Sequence, residues 1–422
     1  MIKLNIEKLV EGGQGFAQKE NKTYFVWNVL PGEEVEVEIL KHRKGIYECL
    51  ATNVLKPSKH RVDPRENHFL SCSPWQIMDW DYENEMKLKI VEENYKRLGK
   101  LEIKEIEGTK TDDIQFGYRN KMEFSFVEED GKISLALFRR GQKSKIALDH
   151  CELATDAINN TAKKILDWIN TTDMTMRNLK TLIVRSNQKG ETIAGLFIKD
   201  KLELDCRGLI HQTQVDDKIL GFSLYYSTHK SPASVITDVL YQEGQDFLIE
   251  KIGDKKFKYG INSFFQVNIP VFEMALNDIL KEAESPLIDM YSGVGVIGII
   301  SGTSELIESN TEAIDFALDN IRLNNLKNIK ATLSPSEKAL DYIKSDNTII
   351  FDPPRAGLNQ KIIDKILEEK PKKIIYLSCN TATHARDIGL IQGIYKIKSL
   401  KLYNFFPRTP HIESLAVLEL KK

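Results

Sequence analysis

From about residue 255 the chain alternates short apolar runs with stretches of helical period, and this alternation restricts the fold more than any other feature. The runs lie at 286–291, 305–308, 348–352 and 373–378, which is the length and character of strands buried on both faces. Between the second and third runs, Ile314, Ala317, Leu318 and Ile321 fall at helical spacing and form one apolar face. Strands and helices in that order predict a doubly wound, mostly parallel sheet, an α/β fold. Ligands of such sheets bind outside the carboxyl ends of the strands, so the residues that follow each run are the first candidates for chemistry.

A chain of 422 residues exceeds one ordinary core, and two or three domains are expected. Residues 1–57 show period-2 stretches at 23–27 and 33–40, broken by Gly12-Gly13-Gln14-Gly15 and Pro31-Gly32, which predict a small antiparallel β-barrel. Residues 58–254 read as a mixed α+β domain, with a charged helix near 82–99 and a hairpin turning at Asp130-Gly131. In the same span Arg139, Arg140, Lys143 and Lys145 form a basic run with no intervening acid, either a solvated loop or a phosphate contact. Residues 255–422 carry the doubly wound pattern.

Composition narrows the function classes. Hydrophobic residues make up 41% and charged residues 28%, which excludes disorder as the main state. The formal charge of −2 gives no global attraction to a polyanion, so a nucleic-acid site has to be a local patch. With no apolar run of 18 residues and no apolar core near the start, the expected location is cytoplasmic, with no membrane partner. Cys49, Cys72, Cys151, Cys206 and Cys379 are scattered, with none at C-x-x-C spacing, which argues against a disulfide framework and a zinc finger.

The candidate site residues follow the apolar runs. Asp289 to Gly298 reads strand, glycine turn, helix, and Gly293-Val294-Gly295-Val296-Ile297-Gly298 spells G-x-G-x-x-G. Glycines there let backbone N–H groups approach a ligand, and Glu308 at the end of the next strand is placed to accept two ribose hydroxyls. A nicotinamide dinucleotide and S-adenosylmethionine both satisfy this much. Asp352-Pro353-Pro354-Arg355 then forms a rigid turn at a strand end, and its two prolines remove backbone donors and leave carbonyls free for a ligand. Ser378-Cys379-Asn380 closes the last run, which puts a thiol at the same edge.

Asp352-Pro353-Pro354-Arg355, Ser378-Cys379-Asn380 with Ala385-Arg386-Asp387, and the segment from Phe406 to Ser414 resemble, in order and spacing, the RNA uracil-5-methyltransferase family. Phe116-Gly117-Tyr118-Arg119-Asn120-Lys121 and Phe264-Phe265-Gln266-Val267-Asn268 extend the resemblance. It implies an N-terminal OB-like barrel of the TRAM type that binds RNA, a central RNA-contacting domain, and a C-terminal class I (Rossmann-like) methyltransferase domain. It also implies an enzyme, with S-adenosylmethionine as methyl donor and a uridine of structured RNA as substrate, 23S ribosomal RNA being favoured over the T loop of tRNA. Cys379 matches the family's nucleophile, which adds to uracil C6, and Glu413 matches the base that removes the C5 proton. Gln266, Tyr291, Gly293, Glu308 and Asp352 match positions around the methyl donor, with Gly295 shaping the turn. A monomer is expected.

Two departures stand out. The interval from Gly298 to Glu308 leaves room for only a short helix, and Leu333-Ser334-Pro335 replaces the acid often found after the third strand. Many members of the family also hold a four-iron cluster on four cysteines. The matching positions here are Glu66, Cys72, Trp75 and Cys151, so no iron–sulfur cluster and no metal ligands are expected. Two rivals remain: a nicotinamide-dependent oxidoreductase on the same glycine turn, which gives Cys379 and Glu413 no joint role, and a non-catalytic RNA-binding or ribosome-assembly factor that kept the fold.

Overall fold

The computed structural model describes residues 2–103, 106–210, 218–231 and 233–421. Its first layer is a six-stranded sheet formed by Ile2–Asn5, Lys8–Leu9, Gly15–Lys19, Lys22–Trp27, Glu34–Arg43 and Ile46–Lys56, in the spatial order first, fifth, sixth, fourth, third, second. Alternate residues such as Val35 and Val37, or Tyr24 and Val26, enter one core with Leu4, Ala17 and Cys49, which is the period-2 pattern of the sequence made physical.

A seven-stranded sheet follows, with Lys145–Ala147, Lys132–Phe138, Lys121–Glu129, Leu179–Ser186, Thr192–Ile198, Ile219–Tyr226 and Asp238–Gly244 side by side. The helix Asp156–Ile169, capped by the Thr155 side chain, lays Ile158, Ala162, Ile165 and Ile169 onto this sheet. Asp130 and Gly131 both adopt positive φ, 52° and 77°, and close the expected hairpin with the backbone twist a two-residue turn requires.

The third layer is an eight-stranded sheet that carries the site. Its order is Lys330–Leu333, Glu305–Glu308, Leu287–Met290, Thr348–Phe351, Lys373–Ser378, Glu413–Leu420, Tyr395–Tyr403 and Glu107–Lys110. The first five strands are parallel, and Glu413–Leu420 runs antiparallel to both its neighbours. Successive residues separate to opposite faces: Ile350, Ile375 and Leu377 enter one core, Ile349, Phe351, Ile374 and Tyr376 the other. Both faces are therefore covered, by Ile269–Glu282 and Thr311–Leu323 on one side and Gln360–Glu369 and Thr381–Ile391 on the other.

Elements of the span 58–254 reach into this layer. The strand Glu107–Lys110 pairs with Lys401–Tyr403, and Val91 and Tyr95 of the helix Trp80–Arg97 enter the second core. Position 254 itself lies in the turn of a hairpin, Phe247–Ile252 with Lys255–Gly260, whose Leu248, Ile252, Phe257 and Tyr259 share one core with Val294, Val296 and Ile297 of the glycine turn. These contacts join sequence-distant pieces, so neither composition nor periodicity reveals them.

Candidate active site

The glycine turn is built by close packing. Tyr291 leaves its strand with φ 69°, an uncommon backbone for a residue with a side chain, followed by Gly293 at 54° and Gly295 at 89°. A Cβ on Gly298 would fall 2.3 Å from Leu306 Cδ2, so only glycine lets the short helix Val296–Ser301 sit on the neighbouring strand. The helix is six residues long, as the interval to Glu308 requires. Glu308 is anchored from two sides: one carboxylate oxygen accepts the Gly293 N–H at 3.0 Å, the other the Ser309 and Asn310 N–H groups at 2.6 and 2.8 Å. The acid, the glycine turn and the following turn thus form one hydrogen-bonded unit.

Strand register lines up the other candidates. Met290 pairs with both Ile307 and Phe351, so Tyr291, Glu308 and Asp352 leave their strands side by side. Ser378 pairs with Ser414 across antiparallel strands, so Cys379 and Glu413 are the next facing positions on the same edge. From the Glu308 strand to the Cys379 strand there are three strand spacings, each about 4.8 Å. Glu308, Tyr291, Asp352, Cys379 and Glu413 are brought together on one edge. Gln266 lies on the segment leading into the helix Ile269–Glu282, and its carbonyl accepts from Asn120 Nδ2 at 2.9 Å, which ties it to the seven-stranded sheet.

The electrostatics of this edge are unusual. Burial pushes the Asp352 carboxyl up to about 7. Glu413, 2% exposed, is pushed well above the usual carboxylate range by burial and by Asp352, with Arg355 opposing, and its Oε2 has no hydrogen-bond partner among the described residues. Burial, with Glu413 and Asp352 adding, raises the Cys379 thiol to about 12, while the Arg355 guanidinium beside it pulls the other way. Asp289, fully buried one strand over, is also driven well above the carboxylate range by burial and then by Asp352. Acids and a thiol that each resist ionisation converge on one place, the pattern expected where charge develops during a reaction.

Their supports are specific. Asn380 caps the helix Thr381–Ile391 and donates from Nδ2 to the Arg355 carbonyl at 3.1 Å, coupling the cysteine turn to the Asp-Pro-Pro-Arg turn. Asp387 accepts from Leu358 N–H and the Tyr376 hydroxyl, both at 2.8 Å, and fixes the far end of that turn. His384 is buried, forms contacts of 2.7 and 2.6 Å with Tyr95 and Ser414, and is held neutral by burial at a value of about 3. It braces the strand carrying Glu413.

Three positions escaped the sequence reading of roles. Arg355 was visible only as the last letter of a motif, yet its charge touches both Cys379 and Glu413. Glu83 and Lys87 look like a solvated i,i+4 pair; instead they are fully buried, with Lys87 Nζ 2.8 Å from Glu83 and 2.6 Å from Asn404, while Glu83 accepts the Arg408 N–H. That network fixes the loop leading into Glu413. Its one sequence signal was the pairing of two opposite charges four residues apart, which is far more common on solvated faces.

Comparison with known proteins identifies the family. The family model described as tRNA (uracil-5-)-methyltransferase matches residues 82–421. An uncharacterized RNA methyltransferase of Aquifex aeolicus is 30% identical, covering 100% of this chain and 99% of the relative. Another, from Caldanaerobacter subterraneus, is 29% identical over 99% of this chain and 98% of the relative. Among solved structures, the Pyrococcus abyssi tRNA (uracil-54, C5)-methyltransferase in complex with S-adenosyl-L-homocysteine superposes with a TM-score of 0.79 at 24% identity, covering 99% of this chain and all of that one. The edge of facing thiol and acid, the anchored glycine turn and these matches lead to one conclusion: the chain belongs to the tRNA (uracil-5-)-methyltransferase family.

Proposed function

We propose that this protein transfers the methyl group of S-adenosylmethionine to C5 of a uridine in folded RNA. The observation that carries the reading is the facing of Cys379 and Glu413 across two antiparallel strands, beside Asp352 and three strand spacings from the anchored Glu308. In this reading Glu308 takes the ribose hydroxyls of the donor, Tyr291 and Gly293 shape its turn, and Gln266 and Asp352 close the donor site over the reacting end. Uracil C5 is a poor nucleophile until a group adds at C6. The Cys379 sulfur forms that bond, its proton passes to Asp352, which titrates near neutrality, and the electron pair moves to C5 and O4. C5 then takes the methyl group and S-adenosylhomocysteine leaves. Glu413, its own proton first passed to solvent, takes the C5 proton as the carboxylate that its surroundings make strongly basic; the C5–C6 double bond returns and the Cys379 thiolate is expelled.

The target base has to leave its stack to reach this edge. A cavity of about 360 Å³ beside Arg355 and His411 is lined by Arg119, Lys121 and Arg140 from the central region and by Phe406. Guanidinium and ammonium groups there suit the phosphates around an extruded nucleotide, and the local patch overcomes the near-neutral whole. The N-terminal six-stranded sheet serves as the TRAM-type RNA-binding domain, residues 58–254 contact RNA, and a cytoplasmic monomer is sufficient for the reaction.

The test is a methylation assay with labelled donor on a T-arm transcript and on 23S ribosomal RNA fragments from cells lacking the protein, followed by mapping of 5-methyluridine. The same RNAs carrying 5-fluorouridine should give a covalent adduct at the target, because fluorine cannot leave C5 as a proton. Methyl transfer to neither RNA, with donor binding intact, would favour the non-catalytic RNA-binding reading.

A further inference from the structure

The four-thiolate cluster common in this family does not fit the residues present. Trp75 stands at one of its positions, 1% exposed, donating from Nε1 to the Gly13 carbonyl at 3.2 Å within an apolar cluster that includes Leu9 and Leu30. Glu66 stands at another and offers oxygen, not sulfur. What the site does offer is a different donor set. Oxygen of Glu66, nitrogen of His68 and sulfur of Cys72 all lie within 4.8 Å of one another, and the Cys151 thiol adjoins that of Cys72. The Cys151 thiol stands outside that group of three. We propose that Glu66, His68 and Cys72 bind a single divalent ion of the zinc class, with the adjoining Cys151 thiol moving in to complete a tetrahedron.

The spacing of the three donors and the tautomer of His68 both favour it. Cys72 Sγ lies 3.1 Å from Glu66 Oε1 and 3.5 Å from His68 Nδ1, close to the edge of about 3.5 Å that zinc–ligand bonds of about 2.0–2.3 Å give a tetrahedron. His68 Nε2 lies 2.8 Å from the His150 carbonyl, which can only accept, so the ring proton sits on Nε2 and the Nδ1 lone pair faces Cys72. A backbone carbonyl holding the remote ring nitrogen is the usual support of a metal-bound histidine. Gln76 Nε2 at 2.8 Å and the Glu152 N–H at 2.9 Å hold the Glu66 carboxylate in place. His68 is 4% exposed and the Glu66 side chain 8%, so water competes little.

Binding is an exchange of protons for metal. The two thiols lose one proton each to solvent, and the ion replaces the hydrogen now shared between Cys72 and Glu66. One carboxylate, two thiolates and a dication leave a net charge of −1, next to Arg119 and Arg140, which line the same cavity as Cys72. The ion would tie the 66–72 segment to 150–152, and Leu70, whose carbonyl receives Arg140 Nε at 2.7 Å, lies on that segment. It therefore stiffens the wall of the basic cavity rather than taking part in methyl transfer.

Cobalt(II) titration of the reduced, chelator-treated full chain reads the site directly. One cobalt per chain should bind, with a thiolate-to-cobalt charge-transfer band and the intense visible bands of tetrahedral cobalt, and an equivalent of zinc should bleach both. The double variant Cys72→Ser, Cys151→Ser should lose the charge-transfer band, whereas Cys49→Ser, altered in the N-terminal sheet, should keep it. The wild-type spectrum decides the matter even if the double variant fails to fold. Absence of a thiolate band, a native mass showing the two thiols joined as a disulfide, or four irons with acid-labile sulfide per chain would each overturn the proposal.

Discussion

The two ends of the carboxyl edge treat their acids in opposite ways. At one end Glu308 is fully engaged, accepting backbone N–H groups from Gly293, Ser309 and Asn310. At the other end Glu413 keeps a buried oxygen without a partner among the described residues; burial raises Asp352, burial and Asp352 raise Glu413, and burial with both acids raises the Cys379 thiol. The first end is complete without a ligand. The second stores an electrostatic conflict that the surrounding fold does not relieve, and such conflicts survive where a substrate or a developing charge resolves them. The contrast separates a site built to hold from a site built to react.

The sharpest way to break that contrast is to remove the thiol. Cys379→Ala should lower methyl transfer by more than about a thousandfold, since it removes the nucleophile proposed for C6, while S-adenosylmethionine affinity stays within about twofold. Donor binding by calorimetry beside a single-turnover methylation assay separates the two quantities. Comparable loss of both would mean that Cys379 belongs to the holding end.

Glu413→Gln should split the reaction differently. The amide cannot take the C5 proton, so addition at C6 and methyl transfer proceed while release falls by about 100-fold or more. A methylated covalent enzyme–RNA species should accumulate, slow on a denaturing gel and carrying donor label. An inactive variant without the adduct would place Glu413 in binding or structure. Normal turnover would leave Asp352 as the remaining acid, because His384 is bound to Tyr95 and Ser414 and stays neutral.

Much of the reacting edge was legible because strand ends announce themselves. An apolar run followed by Asp352-Pro353-Pro354 or by Cys379-Asn380 has to place those residues at the carboxyl edge, and the parallel sheet put them there. The glycine turn was equally readable, including the shortness of its helix, which spans six residues. What stayed hidden depends on contacts between distant segments. Glu83 and Lys87 form a pair that sequence assigns to solvent, and only the arrival of Asn404 and Arg408, over three hundred residues away, makes their burial tolerable. The strand Glu107–Lys110 is a similar case: four residues, Glu-Gly-Thr-Lys, with no apolar pattern, paired to the far edge of the catalytic sheet.

At the holding end the expected loss is smaller. Glu308→Ala removes the acceptor proposed for the donor ribose and frees the Gly293 N–H from its partner, so S-adenosylmethionine should bind about 10-fold to 100-fold more weakly. Alkylation of Cys379 by iodoacetamide, followed by peptide mass spectrometry, should proceed at the wild-type rate, since the thiol's surroundings are untouched. A changed alkylation rate would show that the two ends are mechanically coupled, and the contrast would have to be redrawn.

The smallest effect joins the two ends through charge. S-adenosylmethionine carries a positive sulfonium, S-adenosylhomocysteine a neutral sulfur, and burial pushes the Asp352 carboxyl up to about 7. A cation beside a carboxyl group favours its ionised form, so donor binding should expel the Asp352 proton wherever that proton is present, which is below about pH 7. The sign follows: affinity for S-adenosylmethionine should weaken as pH falls from 8 to 6, by several-fold and at most about tenfold per unit, and should level off above 7. S-adenosylhomocysteine should show little of this slope, because it offers no charge to the acid. Asp352→Asn should flatten the profile for the donor and bring the two ligands toward equal pH dependence. Equal slopes for both ligands in the wild type would mean that the sulfonium does not sit against Asp352, and would assign the raised acid wholly to the reacting pair.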